Sequence, residues 1–194
     1  MPHINLGNDF PGIRSAMAFR PETAGPLSEL AEILLRDDEG LSRSDRELIG
    51  TYVSYLNDCF YCHHSHGEIA CLYLGGDRDL VDQVRNDYAN ANISDKLKSL
   101  LNIAAKVQKG GKSVTEKDVQ LAREAGATDR DIHDTVLIAA AFCMFNRYVD
   151  GLATYTPTDM SSYPLRAKQI AEKGYGSHIF KEPQPIAIIR TNHL

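Results

Sequence analysis

The sequence predicts an all-α protein, and three observations carry that expectation. Apolar residues recur at helical spacing in one segment after another, no long stretch alternates as a strand would, and glycines and capping residues punctuate the segments. At 194 residues the chain fits one domain, large enough to bury a core without disulfide staples. Hydrophobic residues make up 43% and charged residues 24%, both ordinary for a soluble globular protein. A net charge of −5 argues against nucleic acid or an anionic membrane surface as the main partner. The longest apolar stretch, Val136 to Phe145, is far short of the roughly 20 residues that span a bilayer. MPHINLGNDFPGIR has no basic region followed by an apolar run, so no signal peptide is expected and the expected compartment is the cytoplasm.

Residues 1–25, rich in proline and glycine, read as an extended lead-in. A helix is expected from near Pro26, with Leu27, Leu30, Ile33 and Leu34 on one stripe, until Gly40. Ser42 or Ser44 caps the next helix, and Glu47, three residues after Ser44, fits a capping box. Leu48, Ile49, Tyr52, Val53 and Leu56 form its apolar stripe, beside which Gly50 and Ser54 leave room for another backbone. Asn57-Asp58 breaks the pattern and caps a helix from Cys59 to about Leu74, stopped by Gly75-Gly76. Asp77 to Tyr88 is a short helix. Ser94 to Val107 is a longer one with Leu97, Leu100, Leu101 and Ala104 inward. Thr115 caps a helix through Glu124, closed by Gly126. Asp129 to about Leu152 is the longest helix, apolar all round in its middle (TVLIAAAFCMF) and therefore expected to be buried and central. A last helix covers Pro164 to Lys173, and the tail from Gly174 onward, with IFKEPQPIAIIR, reads as extended and packed on a surface.

Four cysteines in such a chain are not a disulfide framework. Cys59 and Cys62 form a CxxC pair, whereas Cys71 and Cys143 stand alone and read as small buried hydrophobes. The chemistry concentrates between Glu47 and His66. In one straight helix Glu47 would lie about 22 Å from Cys62 along the axis. The Asn57-Asp58 break allows two crossed or antiparallel helices to bring Glu47 back beside the second. Cys59 would then lie in the first turn, where free N–H groups favour a thiolate. Cys62 and His66 are i,i+4 neighbours, so the imidazole can reach the Cys62 sulfur or a water on it. The set holds a carboxylate, a base and two thiols that can close a disulfide.

Glu-x11-Cys-x2-Cys-x3-His, carried here by Glu47, Cys59, Cys62 and His66, resembles the active-site motif of the alkylhydroperoxidase D (AhpD) family, within the carboxymuconolactone decarboxylase superfamily. LSRSDRELIG ahead of the motif and FNRYVDGLA closing the long helix resemble its peroxidase-related subgroup. The resemblance covers about 26–155 of a single domain spanning 1–194, leaving the 1–25 lead-in and a 156–194 C-terminal helix and extended arm outside it. It implies an AhpD-like helical bundle, usually a homo-oligomer, with a cysteine-based peroxidase or disulfide-reductase site and neither cofactor nor metal. It also implies that Cys62 is the peroxidatic thiol, Cys59 the resolving thiol, and Glu47 with His66 a proton relay. The substrate would be hydrogen peroxide or an organic hydroperoxide, and an external dithiol or thiol protein would be the reductant. Dipole proximity alone favours Cys59 as the more acidic thiol. The His66 base favours Cys62, and it outweighs a dipole worth about 0.3–1 kcal/mol.

Other patterns compete with this one. Cys59-Phe60-Tyr61-Cys62-His63 fits the CxxCH haem-attachment pattern, but the chain shows no export signal. Two cysteines and three histidines within eight residues suggest zinc, but one helical turn cannot place four ligands around an ion. His63 and His64 read as a solvated helix face, Tyr61 as packing or pocket wall, and Asn146, Arg147 and Asp150 as hydrogen-bonding groups at a pocket or interface. A carboxymuconolactone decarboxylase-like proton-transfer enzyme and a non-catalytic redox sensor or partner-binding module are the competing functions.

Overall fold

The computed structural model describes residues 1–176. Among the described residues there are nine α-helices and no strand: α1 (Ile13–Phe19), α2 (Pro21–Arg36), α3 (Arg43–Leu56), α4 (Phe60–Tyr73), α5 (Arg78–Asp87), α6 (Asp95–Lys109), α7 (Glu116–Glu124), α8 (Asp129–Gly151) and α9 (Ser162–Lys173). The IFKEPQPIAIIR arm lies outside the described residues.

Local sequence explains most boundaries. Ser94 caps α6 by accepting from the Leu97 N–H. Thr115 and Thr128 open α7 and α8 with full capping boxes closed by Asp118 and Asp131. The lead-in departs from expectation, because residues 13–19 and 21–25 are helical rather than extended. Pro21 occupies the first position of α2, where a missing N–H loses no bond. Pro26 lies inside that helix, where Ala31, Leu34 and Leu35 bury the face that docks α2 on α3. At α3 the cap is Ser42, accepting from the Asp45 N–H, so Glu47 is not a capping-box residue.

The bundle is organised around α3, which packs against α2, α4, α5, α6 and α8. Gly50 on α3 makes room for the ring of Phe142 from α8: a Cβ there would sit 2.4 Å from the ring's Cζ. The close approach is thus a side chain rather than the backbone expected from sequence. Arg46 fixes the entry to α3. Its fully buried guanidinium donates to the carbonyls of Leu34, Glu39 and Leu41 and to Asp134 at 2.7–3.0 Å. The middle of α8 is less buried than its all-round apolarity suggests. Leu137 and Met144 are 37% and 44% exposed, on the face turned away from the bundle. Among the described residues no helix is long and apolar enough to cross a membrane.

Gly50→Ala places a methyl group inside the Phe142 ring, and overpacking of this kind costs about 1–3 kcal/mol. A lowered urea midpoint, partly restored by adding Phe142→Leu, is the expected outcome of equilibrium unfolding followed by circular dichroism.

Candidate functional site

The break between α3 and α4 is built by side chains from three helices. Asn57 ends α3, and Asp58 takes a left-handed backbone conformation with φ 56°. The Cys59 N–H then donates to the Ser54 carbonyl at 3.0 Å. Behind the turn, Gln108 donates to Asn57 at 2.9 Å and Asn57 donates to Asn146 at 2.8 Å. Asn146 in turn donates to the Ser54 hydroxyl at 3.0 Å. Asn146 is fully buried, so its amide serves this turn. The chain reverses, and α4 packs back along α3.

That reversal brings Glu47 to His66. The Glu47 carboxylate has no exposed surface, and its Oε2 lies 2.8 Å from Nδ1 of His66. The contact places a proton between Oε2 and Nδ1, and Nε2 is the ring nitrogen turned away from Glu47. The Phe142 ring packs edge-on against this imidazole at 4.6 Å, and 17% of the His66 side chain stays exposed. The Glu47 Oε1 accepts from the Tyr175 hydroxyl, a partner the sequence reading missed. No local pattern marks Tyr175: it lies 128 residues from Glu47, beyond the last helix.

The two thiols sit where α4 begins. Cys59 is the N-cap rather than a first-turn residue, and Cys62 is the third residue of the helix. Both are free and buried, at 0% and 5% exposure. They cluster with Tyr61, Val149, Tyr163 and Ile13. The lead-in seals the cluster at Gly12, where a Cβ would fall 2.0 Å from the Tyr61 ring. The Cys59 thiol is pushed far above the ordinary thiol range, first by its hydrogen bond with Cys62 and then by burial. That direction runs against the dipole expectation for Cys59. Asp150 is also raised, by burial first, with the adjacent Cys59 thiol opposing that rise.

His63 and His64 do not form a solvated face. Both are half-buried with rings 4.1 Å apart, and His63 packs edge-on against Tyr55 and Phe60. Arg85 lies 3.0 Å from Nδ1 of His63. Burial, then the charges of His64 and Arg85, push His63 down to about 3. These histidines face Arg85 and the aromatic rings while His66 faces Glu47, and among the described residues no three metal-ligating side chains gather. Arg147 donates to the Cys143 carbonyl of its own helix, Cys71 is buried in the core and Cys143 is half-buried.

The depressed His63 has a consequence for stability. An unfolded histidine takes up its proton near pH 6.5. The unfolded state therefore binds more protons than the folded state as pH falls from about 6.5 toward about 3. Stability is expected to decline across that window, and His63→Gln should flatten the decline between about pH 6.5 and 4.5 in urea titrations.

The carboxymuconolactone decarboxylase family model matches residues 21–84 and 78–155. An uncharacterized peroxidase-related protein from Silicibacter sp. TM1040 is 29% identical, with a TM-score of 0.71 over 79% of this chain and 78% of that one. A structure described as an alkylhydroperoxidase AhpD core, an uncharacterized peroxidase-related protein from Ralstonia eutropha JMP134, is 31% identical, with a TM-score of 0.71 over 77% and 78%. No curated protein matches the sequence. All-helical, AhpD-like in fold and matched by the family model over most of its length, the chain belongs to the carboxymuconolactone decarboxylase family.

Proposed function

We propose that the chain is a peroxidase-related thiol oxidoreductase. It would reduce hydrogen peroxide or organic hydroperoxides through a Cys59–Cys62 dithiol/disulfide cycle, with Glu47 and His66 as the proton relay. The observation that carries this reading is the 2.8 Å Glu47–His66 contact, made across the two helices whose junction holds both thiols. The peroxidase-related names of the solved relatives agree with it.

The proposed cycle uses these side chains and an external thiol reductant, with neither cofactor nor metal. His66, backed by Glu47, takes the Cys62 proton. The hydrogen bond from Cys59 stabilises the resulting sulfur anion. The Cys62 thiolate attacks the terminal oxygen of the hydroperoxide, the O–O bond breaks, and the alkoxide leaves with the proton from His66. Cys62 is then a sulfenic acid. Cys59 attacks its sulfur, an S–S bond forms, and the hydroxyl leaves as water with the Cys59 proton. An external dithiol or thiol protein restores the pair by exchange. Association into a homo-oligomer is part of the proposal, supported by the outward apolar face of α8 at Leu137 and Met144.

A second reading draws on the same dyad. A buried carboxylate–imidazole pair suits the proton transfers of a decarboxylase-like enzyme, which has no need of thiols. Variant turnover separates the two. Under the dithiol reading, Cys62→Ser abolishes hydroperoxide consumption with a thiol reductant. Cys59→Ser stalls as a sulfenic acid that dimedone traps. Glu47→Gln slows oxidation by roughly a hundredfold or more. Decarboxylase-type activity that survives in a Cys59→Ser, Cys62→Ser double variant would replace the dithiol reading with the second one. Thiols that change redox state without turnover would point to a sensor.

A further inference from the structure

The Glu47–His66 dyad has a third member supplied from the far end of the chain. The Tyr175 hydroxyl lies 2.5 Å from Oε1 of Glu47 and 3.3 Å from Nδ1 of His66. Its ring lies nearly parallel to the imidazole, with centroids 5.9 Å apart and planes inclined by 16°. Without this hydroxyl, Oε1 of a fully buried carboxylate would lose a hydrogen-bond donor, a costly arrangement for a charged group.

The phenol is held in place by a dedicated set of contacts. On α2, Glu32 accepts from the Tyr175 N–H at 2.7 Å and from Nε of Arg36 at 2.8 Å. Arg36 donates in turn to the Ile170 and Ala171 carbonyls at 3.0 and 2.9 Å, in the last turn of α9, and to the Tyr73 hydroxyl at 2.9 Å. A guanidinium there complements the negative end of the helix dipole. Between α9 and Tyr175 stands Gly174, with φ 79°, where a Cβ would fall 2.4 Å from the Glu32 carboxylate. Only glycine allows the chain to turn this closely over Glu32. Glu32 and Arg36 thus fix where α9 ends, and that end delivers Tyr175 to Glu47.

We propose that Tyr175 is a positioning residue of the proton relay, latched by the Glu32–Arg36 pair so that the end of the last helix fixes Glu47 and the protonation pattern of His66. Facing an acceptor-only carboxylate, the phenol proton points at Oε1, and the phenol oxygen lies beside the Nδ1–H of His66. Both contacts keep the imidazole proton on Nδ1 and leave Nε2 as the base. Burial first, and then Glu47, push the Tyr175 hydroxyl well above its ordinary range, so it remains a donor at working pH. Tyr175 lies beyond the residues matched by the family model, which end at 155. The structural contact stands independently of the reaction, whereas its kinetic consequence rests on the dithiol reading.

The test is Tyr175→Phe, which keeps the ring and removes the hydroxyl. With one donor lost, the carboxylate holds a proton on the dyad more tightly. The acid limb of the pH profile for hydroperoxide-driven thiol oxidation should then move up by about one pH unit. Below that limb the rate should fall about tenfold, with the loss in kcat rather than KM. Imidazole 15N shifts of the reduced protein give a readout without substrate: the doubly protonated ring of His66 should persist to about one pH unit higher in Tyr175→Phe than in wild type. Glu32→Ala should move both readouts in the same direction while leaving the hydroxyl in the chain. Unchanged 15N shifts in both variants would overturn the proposal, reducing Tyr175 to packing. A changed His66 protonation in a protein that oxidises no thiols would uphold Tyr175 and sink the dithiol reading instead.

Discussion

The buried carboxylate of Glu47 is the constraint on which the site depends. A negative group with no exposed surface in the middle of a helical bundle is tolerated only where donors converge on it. Here they come from distant elements: His66 from α4 and Tyr175 from beyond α9. Satisfying one side chain therefore ties α3, α4 and the end of α9 into one arrangement. The same tie orients the His66 imidazole, on which the proposed proton relay rests. The interaction that stabilises the burial is also the one the proposed relay would use.

The thiols are set by a different device. The turn at Asn57-Asp58 is held by the Gln108–Asn57–Asn146–Ser54 chain of amides and hydroxyl, so it is fixed by α6 and α8 as well as by its own sequence. Cys59 and Cys62 follow directly, at the N-cap and third position of α4. Their proximity leaves one thiol holding its proton toward the other. The apolar cluster of Tyr61, Val149 and Tyr163, closed over by Gly12, keeps this pair out of bulk solvent. In such a setting charge on sulfur is decided by specific neighbours more than by the helix dipole.

Much of this was legible in the sequence because it is local. Helical spacing, capping residues and glycine stops gave the later helices nearly at their true ends, and the Glu47, Cys59, Cys62, His66 spacing marked the site region. The misreadings share a cause, which is that tertiary partners override local signals. Glu47 looked like a capping-box residue of Ser44, but Ser42 caps α3 and Glu47 points into the core. Residues 1–25 looked extended, with a helix starting near Pro26, yet α2 begins at Pro21 because its apolar face docks on α3. His63 and His64 looked solvated, until Arg85, Tyr55 and Phe60 from other turns closed around them. Tyr175 left no trace at all, since neither spacing nor composition encodes a contact with Glu47 made 128 residues away.

The proposed dithiol cycle makes the two thiols at the start of α4 one redox unit. Intact mass and thiol mapping on metal-free, reduced protein, before and after one equivalent of hydroperoxide, test it most directly. A loss of two hydrogens confined to a peptide linking Cys59 to Cys62, with Cys71 and Cys143 still reduced, is the expected result. Unchanged thiols, or zinc recovered with the purified protein, would contradict it.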